Sequence, residues 1–271
     1  MSTFDLHLHT THSDGTLTPV ELVTAAEERG VTVIAITDHD TVAGITPARA
    51  AAVSVQVIAG VEINTEVKRE NVHILGYGFD PDNQQLLAGL AQLREDRRNR
   101  ARLMLKRLRD IGYPLDDAAV LANEGAIGRP HLARALVAAG HMPNEGEVFA
   151  RLLGSRCPAY VPRPPYTPES AIALIHAAGG IASLAHPGKL GDPVRIIRQL
   201  CAVGLDGLEV YHSDHSPQLT ARMLVRAHEF GLVVTGGSDS HGPGGSLPRN
   251  IGGLLIPAEV CEDFLANLRY R

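Results

Sequence analysis

The sequence predicts an α/β protein: a small, distorted (β/α)7 barrel that carries a helical insertion. Three observations predict it. Short apolar, β-branched runs alternate with longer amphipathic ones in both the early and the late parts of the 271 residues. Almost every such run ends in a histidine or an acidic residue, and α/β barrels carry their chemistry at the C-terminal ends of strands. Between the two alternating parts, residues 83–165 read as one helix after another. An open sheet would spread the polar strand ends along a line, whereas a barrel gathers them at one mouth.

Residues 3–9 read as the first strand. Side chains alternate across a strand, so His7 and His9 point the same way, about 6–7 Å apart along the chain. Asp14, on the following turn, can join them. Thr18-Pro19-Val20-Glu21 is a capping box with proline at the first helical position, and its helix runs to Gly30. The buried strand 31–36 ends in Thr37-Asp38-His39-Asp40. Thr46-Pro47 reads as the cap of a second helix. Strands at 55–63 and 71–77 carry Glu62 and His73.

The late part repeats the alternation. Thr167-Pro168 opens a helix that Gly179-Gly180 ends, and strand 181–185 delivers His186-Pro187. A helix near 192–203 leads to strand 207–211 and His212. A helix at 216–230 leads to strand 232–235 and then Gly236-Gly237-Ser238-Asp239-Ser240-His241. A last strand at 251–256 and a C-terminal helix complete the series. Such βα units predict parallel strands with covering helices.

Within the insertion, 83–111 forms a long helical pattern ended by Gly112 and Pro114, with shorter helices near 115–123, 130–139 and 145–153. The proline-rich stretch 158–168 reads as an extended return. The barrel is therefore assigned to 1–96 and 166–271, and a helical lid over its mouth to 97–165. Eight Lys or Arg between 94 and 110, against three acidic residues, read as a solvated helix face that could also steer anions.

Composition excludes several classes. A net charge of −5 argues against gross binding of duplex DNA. No apolar run approaches the ~20 residues of a membrane span, and no basic-then-apolar signal segment opens the chain. Cys157, Cys201 and Cys261 show no paired spacing, which fits a reduced, cytoplasmic chain. No tryptophan and few aromatics argue against extensive base stacking on single strands.

The candidate metal ligands are His7, His9, Asp14, His39, Glu62, His73, His186, Asp239 and His241. Any one of these histidines alone would read as an ordinary core or surface residue. Together, at strand ends, they read as a centre. Six imidazoles and three carboxylates without a thiolate suit borderline divalent ions such as Mn²⁺, Zn²⁺ or Fe²⁺, and are enough for two or three of them. Outside this set, His12, His141, His176 and His228 read as structural.

His7-x-His9-x-x-x-x-Asp14-Gly15, Thr37-Asp38-His39-Asp40, Gly60-Val61-Glu62-Ile63, His73, Ala185-His186-Pro187 and Ser238-Asp239-x-His241 together resemble the PHP (polymerase and histidinol phosphatase) family of metal-dependent phosphoesterases. The resemblance implies a distorted barrel with a trinuclear centre. His7, His9, Glu62 and Asp239 would hold the first ion; Glu62 would bridge to a second at His73 and His186; Asp14, His39 and His241 would hold the third. Gly128-Arg129-Pro130-His131 before a helix is similar to the family's small nucleotide phosphoesterases. That implies removal of the 3′-phosphate from a nucleoside 3′,5′-bisphosphate, pAp giving AMP and phosphate, with 5′–3′ trimming of short 5′-phosphorylated RNA as the alternative.

The expected nucleophile is a hydroxide bridging two manganese-type ions. Asp239 beside it is the expected proton acceptor, with His241 also in the catalytic set. Arg129 and His131, at a helix start, are expected to anchor the second phosphate. Lys189 would reach the reacting phosphate, and His212 and His215 would contact substrate. A metal-retaining scaffold without catalysis is the non-enzyme alternative, against which the full ligand set argues. An amidohydrolase is another, and it is disfavoured because no strand presents a lysine at a ligand position.

Overall fold

The computed structural model describes residues 4–68, 70–122, 125–243 and 250–269. Seven strands follow one another in spatial order: β1 (Phe4–Leu8), β2 (Val33–Ile36), β3 (Gln56–Val67), β4 (Glu70–Tyr77), β5 (Ile181–Leu184), β6 (Gly207–His212) and β7 (Val233–Gly237). The sheet curls until its edges meet. The His9 N–H donates to the Ser240 carbonyl at 3.0 Å, and Leu8 bridges Ser240 in parallel register. Closure is tight: a Cβ on Gly237 would lie 2.4 Å from the His7 nitrogen, so only glycine lets β7 come this close to β1. The buried Asp5 carboxylate supplements the ladder by accepting from the backbone N–H groups of Ser238 and Gly252, at 2.8 and 2.9 Å.

The strands are not all parallel. β4 runs antiparallel to both β3 and β5. The reason is connection length: β3 and β4 are joined across residues 68–69 alone, and a parallel return needs a crossover of a dozen or more residues. The reversal matters for the site. His73 reaches the mouth from the first half of β4, paired opposite Asn64, and Glu62 lies in the middle of β3, so both depart from the strand-end rule.

The helices are α1 (Pro19–Glu28), α2 (Ile45–Ala51), α3 (Gln84–Asp110), α4 (Asp117–Leu121), α5 (Arg129–Ala138), α6 (Glu145–Val148), α7 (Pro168–Ala177), α8 (Pro193–Cys201), α9 (Pro217–Phe230) and α10 (Ala258–Arg269). Thr18 and Glu21 close the capping box of α1, and Thr167 caps α7 on the Ser170 N–H. Thr46 does not cap α2. Gly44 holds that position, where a side chain would meet Asp38 Oδ2 at 2.6 Å. Residues 251–256 form turns and no strand, because β1 and β7 already pair with each other. The Gly252 N–H goes to Asp5 instead of a ladder.

Alternation along β3 shows how the barrel divides. Val57, Ala59, Val61 and Ile63 join the large apolar cluster with Leu22 of α1, Leu86 of α3, Ile175 of α7 and Ile196 of α8. Ile58 faces a smaller cluster with Leu75 and Tyr77, and Glu62 shares the parity of Ile58. A separate cluster lies among residues 101–161: Met104, Leu105 and Leu108 of α3 pack with Leu132, Leu136 and Leu153. No helix among the described residues is long and apolar enough to cross a membrane.

Candidate metal centre

All nine predicted ligands come to one place. Their donor atoms fall into groups of three or four within 4.8 Å: His7, His9 and Asp239; Glu62, His73 and His186; and His9, Asp14, His39 and His241. Glu62 is the hub. Its Oε1 lies 2.6 Å from His73 Nδ1 and 3.0 Å from His186 Nε2. Its Oε2 lies 2.9 Å from His39 Nδ1, 3.4 Å from His7 Nε2 and 3.3 Å from His9 Nε2. His9 belongs to two groups, where the sequence reading gave it to the first ion alone.

These residues fit divalent cations. The Nε2 atoms of His7 and His9 are buried and make no hydrogen bond, although Asp239 Oδ1 stands 3.6 and 3.3 Å away. Lone pairs that converge in this way, beside carboxylates and without thiolates, form a hard-to-borderline donor set. The titration pattern points the same way. Burial alone would raise the Glu62 carboxyl, yet the imidazoles of His39, His73 and His7 hold it well below the ordinary value. Burial pulls His9 down, but Asp239 and Glu62 outweigh it and raise it to about 9. His73 is pushed down to about 3, chiefly by burial.

Backbone strain sits at the same spot. His186 and Asp239 hold left-handed φ values of 27° and 56°, conformations that cost a non-glycine residue and cluster at working sites.

The supporting layer was not read from the sequence. Glu209, fully buried on β6, accepts from His7 Nδ1–H at 2.8 Å and from the His186 backbone N–H at 2.6 Å. This leaves His7 Nε2 as a lone-pair donor toward the centre. Asp38 gathers the Thr10 N–H, Thr10 hydroxyl and Ser13 hydroxyl at 2.6–2.7 Å, which fixes the loop that carries Asp14. Strand parity could have found Glu209, since an acidic residue in an otherwise apolar strand needs a partner.

The predicted substrate contacts divide. A cavity of about 340 Å³ opens at the centre and is lined by Asp14, His39, His73 and His186 among others. Arg129 and Lys189 also line it. Arg129 lies 5.7 Å from the ring centres of both Phe149 and Tyr160. Lys189 Nζ is 3.2 Å from Asp239 Oδ2. His131 is not among the lining residues. Its Nδ1 accepts the Gly128 N–H at 3.0 Å, closing the first turn of α5. His215 is held at both nitrogens: Nδ1 donates to the Val210 carbonyl at 2.8 Å and Nε2 accepts the Gly188 N–H at 3.1 Å. It ties the turn 187–189 to β6 and has no donor left for substrate. His212 accepts the Asp214 N–H at Nδ1 and donates from Nε2 to Asp239 Oδ2 at 3.2 Å.

The basic run on α3 is only partly a solvated face: Arg102, Lys106, Arg107 and Arg109 are exposed, whereas Arg97 and Arg100 are buried. The signal was available: Leu86, Leu90, Leu93, Met104 and Leu108 form one helical stripe, and Arg97 and Arg100 fall in its gap.

Comparison with known proteins agrees with this geometry. The family model described as PHP domain matches residues 5–124. A 5′-3′ exoribonuclease of Haemophilus influenzae is 39% identical over 271 residues, covering 96% of this chain and 98% of the relative. A 3′,5′-nucleoside bisphosphate phosphatase of Chromobacterium violaceum is 38% identical, covering 100% and 98%. A solved structure from Bifidobacterium adolescentis, assigned by inference as a metal-dependent phosphoesterase, superposes with a TM-score of 0.88 at 35% identity, over 97% of this chain and 95% of that one.

Proposed function

The chain belongs to the PHP family and is a metal-dependent phosphoester hydrolase; from that premise we propose that it removes the 3′-phosphate of nucleoside 3′,5′-bisphosphates, pAp giving AMP and inorganic phosphate. One observation carries the substrate choice. The ligand cluster opens into a cavity of about 340 Å³ that also holds cationic side chains, near the lower end of the ~300–1,000 Å³ of small-molecule sites. A mononucleotide with two phosphates matches such a space better than an extended strand.

The nine ligands would hold two or three divalent ions, Mn²⁺ in this reading, and when bound these supply the Lewis acidity that polarises the phosphoryl group and acidifies water. The chain's own residues set the geometry. Burial works against ionisation of Asp239, but His7, His212, His9 and Lys189 keep it anionic. It therefore orients an attacking water as an acceptor, beside His241. Lys189 offers its ammonium to the phosphoryl oxygens, and the His215 tether fixes the turn that carries it. The insertion, residues 97–165, serves as the lid in this reading, supported by the start of α5 and Phe149 lining the same cavity as the histidines. The exoribonuclease reading retains one specific support, the name and 39% identity of the Haemophilus influenzae relative.

Phosphate release from pAp, 3′-AMP and a 5′-phosphorylated oligonucleotide, with Mn²⁺ and with chelator, tests the proposal. Cleavage of pAp is expected to exceed trimming of the oligonucleotide by far, and chelation to abolish both. Faster trimming of the oligonucleotide would move the protein to the RNA branch.

A further inference from the structure

The loop that carries Asp14 is held from two sides. Asp14 follows β1 and lies outside any strand ladder, yet it belongs to the group formed with His9, His39 and His241. From the barrel side, Asp38 gathers Thr10 and Ser13, and the Thr16 N–H donates to the His241 carbonyl at 2.8 Å. From the insertion, α5 and the residues just before it reach three consecutive positions of the same loop. The Ala126 N–H donates to the His12 carbonyl at 3.1 Å. The His131 ring hydrogen-bonds the Ser13 backbone. Arg134 Nη1 donates to the Asp14 carbonyl at 3.1 Å. Ala126, Ser13 and Asp14 are buried, so water competes poorly for these bonds. Positions 131 and 134 lie one helical turn apart and share a face of α5.

We infer that α5 is a clasp on the third ion group: Arg134, with the Ala126 N–H and His131, positions Asp14 through the loop backbone, so that docking of the insertion and occupancy of the Asp14–His39–His241 group form one coupled equilibrium. Arg134 is a positioning residue, because it acts through Asp14. A carboxylate on an unheld loop loses backbone freedom when it ligates, and the clasp removes most of that loss beforehand. The coupling is reciprocal: whatever seats the insertion tightens the ion, and the ion in turn tightens the clasp. The structure contains its own control. The Glu62–His73–His186 group draws its ligands from β3, β4 and the turn after β5, and does not depend on the loop that carries Asp14. The inference rests on ligand geometry and is independent of which phosphoester is cleaved.

The test follows metal binding by the full chain and needs no turnover. Equilibrium dialysis against graded free Mn²⁺, followed by elemental analysis, gives the number of ions and the affinity of each class. Arg134→Met keeps an apolar stem and removes the donors. One class of ion is expected to weaken in it by about 10- to 100-fold, while the other classes keep wild-type affinity. Arg134→Lys, which can still donate to a carbonyl, should recover part of the loss. An isotherm unchanged in Arg134→Met overturns the inference. So does one in which every class weakens together, since that is the mark of a loosened fold. The second measurement needs no change at position 134. Amide hydrogen exchange over 126–138 is expected to slow in the wild type as Mn²⁺ is added. Asp14→Asn keeps the backbone carbonyl that Arg134 grips but weakens the ligand, and should lose that response. Exchange that ignores Mn²⁺ in the wild type, or that responds equally in Asp14→Asn, overturns the coupling.

Discussion

Glu209→Gln isolates the role of the supporting layer. The substitution keeps the shape of the side chain and removes its charge. Glu209 accepts two hydrogen bonds, from His7 Nδ1–H and from the His186 N–H. A glutamine oxygen can accept only one of these, and its amide hydrogens then face the other donor. The loss is about one charged hydrogen bond, ~1.5–3 kcal/mol, which for a domain of this size lowers Tm by roughly 3–12 °C. Because His7 loses its tautomer lock, metal affinity should fall by about 10- to 100-fold. Differential scanning calorimetry and elemental analysis after graded chelation measure the two effects. The pH dependence adds a signed check on metal-free protein. Burial would raise the Glu209 carboxyl from its ordinary 4.5, but His7, His212 and His186 hold it at about 2. A depressed carboxyl stabilises the fold above the ordinary value, and that contribution drains away as pH falls through about 2. The Tm gap between wild type and variant should therefore narrow from pH 4.5 downward. A variant with wild-type Tm and wild-type metal retention would refute the reasoning.

Other outcomes follow from features already described. His9 is raised to about 9, and His7 is raised as well, so at neutral pH the metal-free cluster holds protons that a cation must displace. Manganese affinity should climb as pH rises toward 9, with proton release visible as buffer-dependent calorimetric heats; a buffer-independent heat would contradict this. Gly237→Ala would drive a methyl group against the His7 backbone and should cost about 1–3 kcal/mol through overpacking, read as a lower denaturant midpoint. An unshifted midpoint would mean that β1 and β7 can separate freely. His215→Ala should reduce kcat by loosening the 187–189 turn, with KM for pAp little changed. A rise in KM alone would restore His215 to the substrate contacts.

Much of the centre was legible because metal ligands obey strand parity. His7 and His9 two apart and the Asp239–His241 pair just beyond β7 are placed by local rules that single segments obey, whereas Glu62 lies in mid-strand because β3 continues to Val67. What local rules could not supply lies in tertiary pairing. The direction of β4 depends on how few residues separate it from β3, and the apolar run at 251–256 resembles a strand until β1 and β7 are seen to pair with each other. Glu209 looked like one acidic residue in an ordinary strand. Arg97 and Arg100 were hidden by a composition argument, since a basic run normally faces water; their place in the leucine stripe outweighed their charge. The bonds of His215 were hidden for a related reason: a loop histidine can satisfy both nitrogens with nearby backbone.

The long helix α3 has a mechanical consequence. Its 27 residues form one unbroken rod, about 40 Å in length at 1.5 Å per residue. Leu86, Leu90 and Leu93 root one end in the barrel's apolar cluster, while Met104, Leu105 and Leu108 carry the insertion's own cluster on the other. A rod rooted at both ends does not hinge in its middle without breaking helical hydrogen bonds. Such a shaft stays fixed, and stiffness in α3 becomes the quantity that holds Arg97 at a constant distance from the histidines.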